Sequence, residues 1–514
     1  MGNPACYDRG MGDDLAKFLT DFAALAEAAQ GAREARHEGE QLWDAVLSHV
    51  GVDGAALPVV NEEFGAHRLA DASLLLERLA SEAGGRVVGL GGEARHHMSL
   101  ADMLRERRLH SFPVGEPDFA SVAVGPDEQR RIVVCGLFLV HLQGRPMAAL
   151  LRGASPQYGR PSGSLEIVGT EPDAVDAFTG WFRDGLRSQS IFRGHVVSFT
   201  ANEYEATNAG VTFHRRPQLV AGDVVLPSGV LARVEAHVLD LGRHREELLS
   251  RGQHLKRGVL LYGPPGTGKT HTVRYLLSRS EGTTAILLSG GSLALVSEAA
   301  RMARALQPAV VVLEDCDLVA EDRSFGHGPQ PLLFEVLDAM DGLDRDADVA
   351  FVLTTNRVDM LERALAQRPG RVDLAVEIPR PDATARRGLL ERYGRGIGFS
   401  GEALERAAEG TDGTTASFAK ELVRRAVLAA AIEGVDPTDG HLLAAVGELM
   451  ADGAALTRSL LGGDTPDGGG QMGHGGGDGQ SVVHGRSYDA GESFGFVAGP
   501  VRFQPGGPDA DEAG

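Results

Sequence analysis

One stretch leaves this chain few choices of fold: Gly263-Pro264-Pro265-Gly266-Thr267-Gly268-Lys269-Thr270. It follows the apolar run Val259-Leu260-Leu261-Tyr262 and precedes a helix-like segment from His271 to Ser278. A strand, a glycine-rich turn, Lys-Thr and a helix, in that order, build a concavity. Successive backbone N–H groups point into it, and the helix N-terminus adds partial positive charge. Glycines there allow backbone angles and close approaches that a Cβ would block. Such a cradle holds phosphate, with Lys269 reaching the terminal phosphates and the Thr270 hydroxyl holding Mg²⁺. A turn that matched by chance would lack the flanking strand and helix, and the partner stretches that follow.

The first partner is Ala309-Val310-Val311-Val312-Leu313-Glu314-Asp315. Its aliphatic run describes a buried parallel strand that delivers two acids to its C-terminal edge, where ligand sites of open α/β sheets lie. A dry core would not place two charges at a strand end without a metal or water to use them. Glu314 is expected to act through the Mg²⁺ shell and Asp315 to polarise an attacking water. Val349 to Asn356 is a second buried strand, ending in an amide that can hydrogen-bond both a γ-phosphate and the lytic water. The alternative for Asn356 is a loop-initiating residue with no ligand role. Arg368-Pro369-Gly370-Arg371 sets two arginines on a Pro-Gly turn, which fits a guanidinium finger for transition-state charge. Alone, such a pair would more often be a solvated surface. Ala285 to Ser289 reads as another buried strand.

Size and charge bound the rest. The 514 residues suffice for two or three domains. The formal charge of −21 argues against a general nucleic-acid binder, which needs basic surface to displace counterions. Three cysteines, Cys6, Cys135 and Cys316, are odd in number and far apart, so no disulfide framework is implied and a reducing cytoplasm is expected. No run of 18 apolar residues occurs, so no membrane span is expected.

Along the chain, residues 11–110 read as helical, with stripes at Leu15 to Leu25, Leu69 to Leu79 and Met98 to Leu109 that fit core packing. Ile132 to Val140 and Met147 to Leu151 read as paired strands about the turn Gln143-Gly144-Arg145-Pro146. Ser164 to Val168 reads as a strand and Ala174 to Leu186 as a helix. His96-His97 is expected to be surface histidine rather than a metal pair, since neighbouring positions of a helix face apart. Val230 to Leu249 reads as a helix, and four helices follow Asp382. The expected organisation is an N-terminal α+β domain over residues 1–200, a linker over 201–216, an α/β parallel-sheet domain over 217–382, a helical lid over 383–455, and a Gly/Asp-rich tail over 456–514 expected to be disordered.

Taken together, residues 217–450 resemble the AAA ATPase domain of the AAA+ superfamily. The phosphate loop (Walker A), the Glu314-Asp315 strand, Thr354-Thr355-Asn356-Arg357 and Arg368-Pro369-Gly370-Arg371 occur in that family's order and at similar spacing. The resemblance implies an ATPase using ATP and Mg²⁺ that assembles as a homo-oligomeric ring, usually a hexamer. Arg368 and Arg371 would then reach into the neighbouring subunit's site. Three departures stand out. The family usually has Asp-Glu where this chain has Glu314-Asp315. No Phe, Tyr or Trp occurs from Ser289 to Gln307, where unfoldases of the family carry an aromatic pore loop; Phe325 could line a pore instead, but a simple loop anchor is the expected role. The lid has Thr415-Ala416-Ser417 where the family often has a Gly-Ala pair. The leading expectation is ATP-driven remodelling of an unknown client protein. The alternative is an ATP-regulated scaffold with slow turnover. A membrane-bound AAA protease is rejected for want of an H-E-x-x-H motif and of an apolar span, and a DNA-acting loader is disfavoured by the charge.

Overall fold

The computed structural model describes residues 17–25, 39–51, 57–107, 109–199, 210–317, 338, 346–357, 372–451 and 455–463. The chain divides into two compact units, Met1–Phe213 and His214–Gly514.

The first unit is built on an antiparallel sheet. Its strands are β1 (Val59–Phe64), β2 (Arg86–Leu90), β3 (Val114–Gly115), β4 (Asp118–Ala123), β5 (Gln129–Leu142), β6 (Arg145–Arg152) and β7 (Gly163–Val168). Their order is β1-β7-β6-β5-β2-β3, with β4 also on β5. The β5–β6 turn is two residues, Gln143 and Gly144, at φ 53° and 78°. Two positive φ values in succession match the right-handed twist of the flanking strands. Alternation along β5 and β6 fills two cores. Phe138, Val140, Met147, Ala149 and Leu151 pack with the helices Leu69–Glu82 and Pro172–Ser188. Leu137, Leu139, Ala148 and Leu150 pack with the helices Leu42–Val50 and Leu100–Arg105. Helices on both faces explain why these strands read as unbroken apolar runs.

Residues 11–110 are therefore not all helical: β1 and β2 lie among them. β1 is an edge strand whose Val-Val-Asn-Glu-Glu-Phe sequence carries polar residues in place of a clean alternation. The first stripe does form a helix, residues 17–25. However, Phe18, Leu19, Phe22 and Leu25 are 56–70% exposed, so among the described residues this face is not core. The third helix is shorter than the stripe suggests. Ser99 caps it by accepting from the Asp102 N–H at 3.1 Å. His96 stacks on Tyr158 and His97 meets the same ring edge-on, with centroids 5.0 and 4.9 Å apart. The strands β8 (Val196–Phe199) and β9 (Val211–His214) flank residues 200–209, which lie outside the described set.

In the second unit five parallel strands run in the order β14-β10-β13-β12-β11. They are β10 (Arg257–Tyr262), β11 (Thr284–Ser289), β12 (Ala309–Glu314), β13 (Val349–Thr355) and β14 (Leu374–Glu377). Every residue of β12 and β13 is buried. Tyr262 pairs with Thr355, and Leu313 with Leu353, so the C-terminal ends of β10, β12 and β13 lie level. At the other end Arg257 and Asp348, both nearly inaccessible, form an ion pair at 2.8 Å. The same guanidinium donates twice to the Val238 carbonyl, at 2.9 and 2.8 Å. This ties β10 to the connection before β13 and to the segment before the sheet. That segment is helical in pieces, Val230–Glu235, a π turn Ala236–Asp240, Leu241–Arg243 and Arg245–Ser250, rather than one regular helix.

The lid comprises the helices Ala383–Tyr393, Gly401–Glu409, Ala416–Glu433 and Asp439–Met450 around Leu390, Phe418, Leu422, Leu442 and Leu449. Side chains of Asp382, Ser400 and Thr415 cap three of them. A further helix, Ala455–Leu460, stands where the tail was expected to begin. It is tied back by buried Arg458, which donates to the Leu449 and Ala451 carbonyls at 3.1 and 2.6 Å. The tail beyond residue 463 lies outside the described residues.

Candidate active site

The phosphate loop leaves β10 at Gly263 and enters the helix Lys269–Arg279. Gly263, Gly266 and Gly268 have φ of 143°, 75° and 112°, values that L side chains rarely adopt. At Gly263 a Cβ would also sit 2.3 Å from the Ile378 carbonyl oxygen. Thr267 Oγ1 donates to the Pro264 carbonyl at 2.9 Å, closing the turn on itself. Lys269 is buried, and its Nζ donates to the Gly263 and Pro264 carbonyls at 2.8 and 2.9 Å. Pro265 stands at the exposed crest of the loop. Burial pulls the Lys269 pKa down to about 8, against the pull of Asp315 and Asp317. A terminal phosphate would favour the charged form further and replace the two carbonyls as acceptor.

The acids arrive from β12. Glu314 is its last residue and is buried, and its Oε1 has no hydrogen-bond partner. Burial first, and then the Asp315 charge, pushes its pKa up to about 7, while a hydrogen bond from Thr270 and the charge of Arg274 act the other way. An orphaned carboxylate oxygen beside the Thr270 hydroxyl fits a divalent cation, which would satisfy the oxygen and relieve the desolvated charge. Among the described residues no group of three His, Cys, Asp or Glu is placed to hold a metal by itself. Mg²⁺ fits that situation, because it keeps waters and takes phosphate oxygens in place of an all-protein cage.

Asp315 follows at φ 51°, a left-handed conformation uncommon for a residue with a side chain. The ends of β12 and β13 hold it there. The Asp315 N–H donates to Thr354 Oγ1 and the Cys316 N–H to the Thr354 carbonyl, both at 3.0 Å. Asn356 Nδ2 lies 3.5 Å from Asp315 Oδ1. The Asp315 pKa is raised, by burial first and by Asp317 second, and lowered by Lys269 and Asn356. Asp317 binds the same corner. Its Oδ1 accepts from the Thr355 hydroxyl at 3.1 Å and the Asn356 N–H at 3.2 Å.

The lid closes on the loop from the other side. The Ser417 N–H donates to the Gly266 carbonyl at 3.1 Å. A Cβ on Gly266 would stand 3.0 Å from both Ser417 Oγ and Thr415 Oγ1, so the Thr-Ala-Ser turn lies directly on the loop. Thr415 Oγ1 in turn donates to the Leu461 carbonyl at 2.6 Å, which brings the last described helix to the same place. His271 makes a 2.9 Å hydrogen bond with the Asp223 carbonyl, and Val225 packs against the lid core.

Gly263 to Thr270, Glu314, Asp315 and Asn356 thus meet at one sheet edge. Arg368, Arg371 and Phe325 lie outside the described residues. Sequence reasoning passed over Asp317, which orients Asn356. Its signal was a second acid two positions past Asp315, in Glu314-Asp315-Cys316-Asp317. It also passed over Arg274, whose charge opposes the rise of the Glu314 pKa.

A phosphate cradle, a buried cation, an orphaned carboxylate and a positioned acid define a nucleotide-hydrolysing P-loop site. Residues 259–380 match the model of the ATPase family associated with various cellular activities (AAA), and the domain they form is an AAA ATPase domain, with ATP and Mg²⁺ as its cofactors. The chain is 33% identical over 219 residues to the 26S proteasome regulatory subunit 10B homolog A of Arabidopsis thaliana, covering 39% of this chain and 54% of that protein. It is 31% identical over 234 residues to the 26S proteasome regulatory subunit 8 of Caenorhabditis elegans, covering 42% and 56%. It is 33% identical over 254 residues to the ATP-dependent zinc metalloprotease FtsH 3 of Sorangium cellulosum, covering 44% and 42%. The chain spans about half the length of these curated relatives. Among the described residues no helix is long and apolar enough to cross a membrane.

Proposed function

We propose that the protein couples ATP hydrolysis to the remodelling of other proteins in the cytoplasm, as a homo-oligomeric ring. The observation that carries this reading is the meeting of Lys269, Thr270, Glu314 and Asp315 at one strand edge. In the proposed reaction Lys269 and the loop N–H groups hold the β- and γ-phosphates. Thr270 and Glu314 hold Mg²⁺, which supplies charge neutralisation on the phosphates. Asp315 polarises the attacking water, and Asn356, in hydrogen-bond reach of Asp315, orients it against the γ-phosphate. Arg368 and Arg371 complete the neighbour's site and stabilise transition-state charge. Relatives named as proteasome regulatory subunits and as FtsH support a protein client.

The test is to mix wild-type with Lys269→Ala subunits, and separately Arg371→Ala with Lys269→Ala. Poisoning in the first mixture and rescue in the second are expected, together with turnover that rises on adding an unfolded protein. Strictly independent subunit activities would contradict the ring.

A second reading, an ATP-regulated scaffold with slow turnover, draws on one feature. Between β11 and the helix Val296–Ala305 the chain makes only a 3₁₀ turn, Gly290–Leu295, with no aromatic side chain. Turnover indifferent to any client but linked to assembly state would favour it.

A further inference from the structure

The first unit contains a cleft of about 410 Å³ that the ATPase site does not use, well within the size range of small-ligand pockets. Its floor is the end of β6 and the start of β7. Its walls are β1, the segment about Met98, and the turn Tyr158 to Ser162. Three donors of this lining, Arg152 Nε, Arg160 Nε and Ser164 Oγ, are buried and have no hydrogen-bond partner. Arg152 is 5% exposed and Ser164 7%. Buried donors left unpaired are costly, and natural structures satisfy them with protein, water or ligand.

Two guanidinium groups, Arg152 and Arg160, and two carboxylates, Glu63 and Glu166, line the cleft, but only one pair of them is joined. Arg152 is ion-paired with buried Glu166. Its Nη1 donates to the Met98 carbonyl at 2.8 Å, and Glu166 Oε2 accepts from the Leu100 N–H at 2.6 Å. That pair is neutral, with Arg152 Nε and Glu166 Oε1 left without hydrogen-bond partners. Arg160 donates to the His96 carbonyl at 2.6 Å and, among the described residues, forms no ion pair, although Glu63 and Glu166 line the same cleft. Burial lowers the pKa of both guanidinium groups, Arg152 to about 10, and their mutual repulsion adds to the effect on Arg152. A guanidinium outside any ion pair, with its Nε unsatisfied, is suited to receive an anion.

We propose that this cleft binds a monovalent carboxylate, held by Arg160 and Ser164 beside the Arg152–Glu166 pair. A single guanidinium outside any ion pair matches one negative charge. Exposed Glu63 at the rim opposes a dianion such as phosphate. Val59, Met98, Tyr158 and Pro161 in the lining favour an apolar group next to the carboxylate. A free small acid and the C-terminus of a polypeptide both present that chemistry.

Isothermal titration calorimetry of the full chain without nucleotide tests it. The probes are N-acetylleucine, N-acetylleucinamide, a tetra-alanyl-leucine peptide with a free or amidated C-terminus, and inorganic phosphate. N-acetylleucine should bind with a Kd on the order of 1 mM or tighter, and its amide at least about tenfold more weakly. Binding of the free-acid peptide as well assigns the site to chain termini, and exclusion of the peptide assigns it to small acids. Arg160→Gln should weaken the acid about tenfold and Ser164→Ala by less, with unchanged circular dichroism and basal ATPase rate. Equal affinity for acid and amide, no binding of either acid, tighter binding of phosphate, or unchanged affinity in folded Arg160→Gln each overturns the proposal. Because the acid–amide comparison uses unaltered protein and no ATP, its failure leaves the ATPase reading intact.

Discussion

Replacing Glu314 by glutamine should stabilise the metal-free, nucleotide-free protein at pH 8. Glu314 is 6% exposed. Burial, with Asp315 beside it, raises its pKa from 4.5 to about 7. A carboxyl whose pKa is raised by folding contributes stability that is fully present below the unfolded value of 4.5 and lost as pH climbs through about 7. That rise corresponds to about 3 kcal/mol, at about 1.4 kcal/mol per pKa unit. Glutamine carries no charge at any pH and can keep the contact with Thr270, so it avoids the loss. At about 2–4 °C per kcal/mol for a domain of this size, the variant should melt roughly 6–12 °C higher at pH 8. The gap should close near pH 4.5. Thermal melts of both proteins in EDTA from pH 4.5 to 8.5 read this directly. Adding Mg²⁺ and ATP should raise the wild-type melting temperature more than the variant's, since the cation relieves the buried charge. A variant no more stable than wild type at pH 8, or a gap that does not narrow on acidification, would refute the electrostatic account of this residue.

Two further outcomes follow from the same geometry. Lys269→Ala should weaken ATP binding at least about tenfold, since a hydrogen-bonded charge on the phosphates is removed, as read by fluorescent-nucleotide titration. Asp348→Ala should cost about 3–5 kcal/mol in denaturant unfolding, because it strands the buried Arg257 guanidinium, and a cost under about 1 kcal/mol would show the pair to be dispensable.

The parts of the fold legible in the sequence are those whose burial is complete. β10, β12 and β13 are covered on both faces, so they read as continuous aliphatic runs ending in functional residues. Glycines at Gly263, Gly266 and Gly268 announce backbone angles that few other residues accept. Elements buried on one side only are harder. β1 exposes Val60 and carries Asn61 and Glu63, and its strand character comes from pairing with β7, a contact no local pattern records. The helix over 17–25 has the periodicity of a core element and yet exposes its apolar stripe. Asp317 works through the Thr355 hydroxyl and the Asn356 N–H at the end of β13, 38 and 39 residues away in sequence. The cleft about Arg160 depends on β1, β6 and β7 coming together, and no spacing of residues foretells it.

The central claim is that Asp315 activates water in a site where Lys269, Thr270 and Glu314 hold Mg·ATP. Asp315→Asn, assayed in parallel for nucleotide binding and steady-state hydrolysis, tests it most directly. The account predicts ATP affinity close to wild type and turnover reduced by about 100-fold or more, on the scale of general-base catalysis. Turnover near the wild-type rate in a variant that binds ATP normally would contradict it.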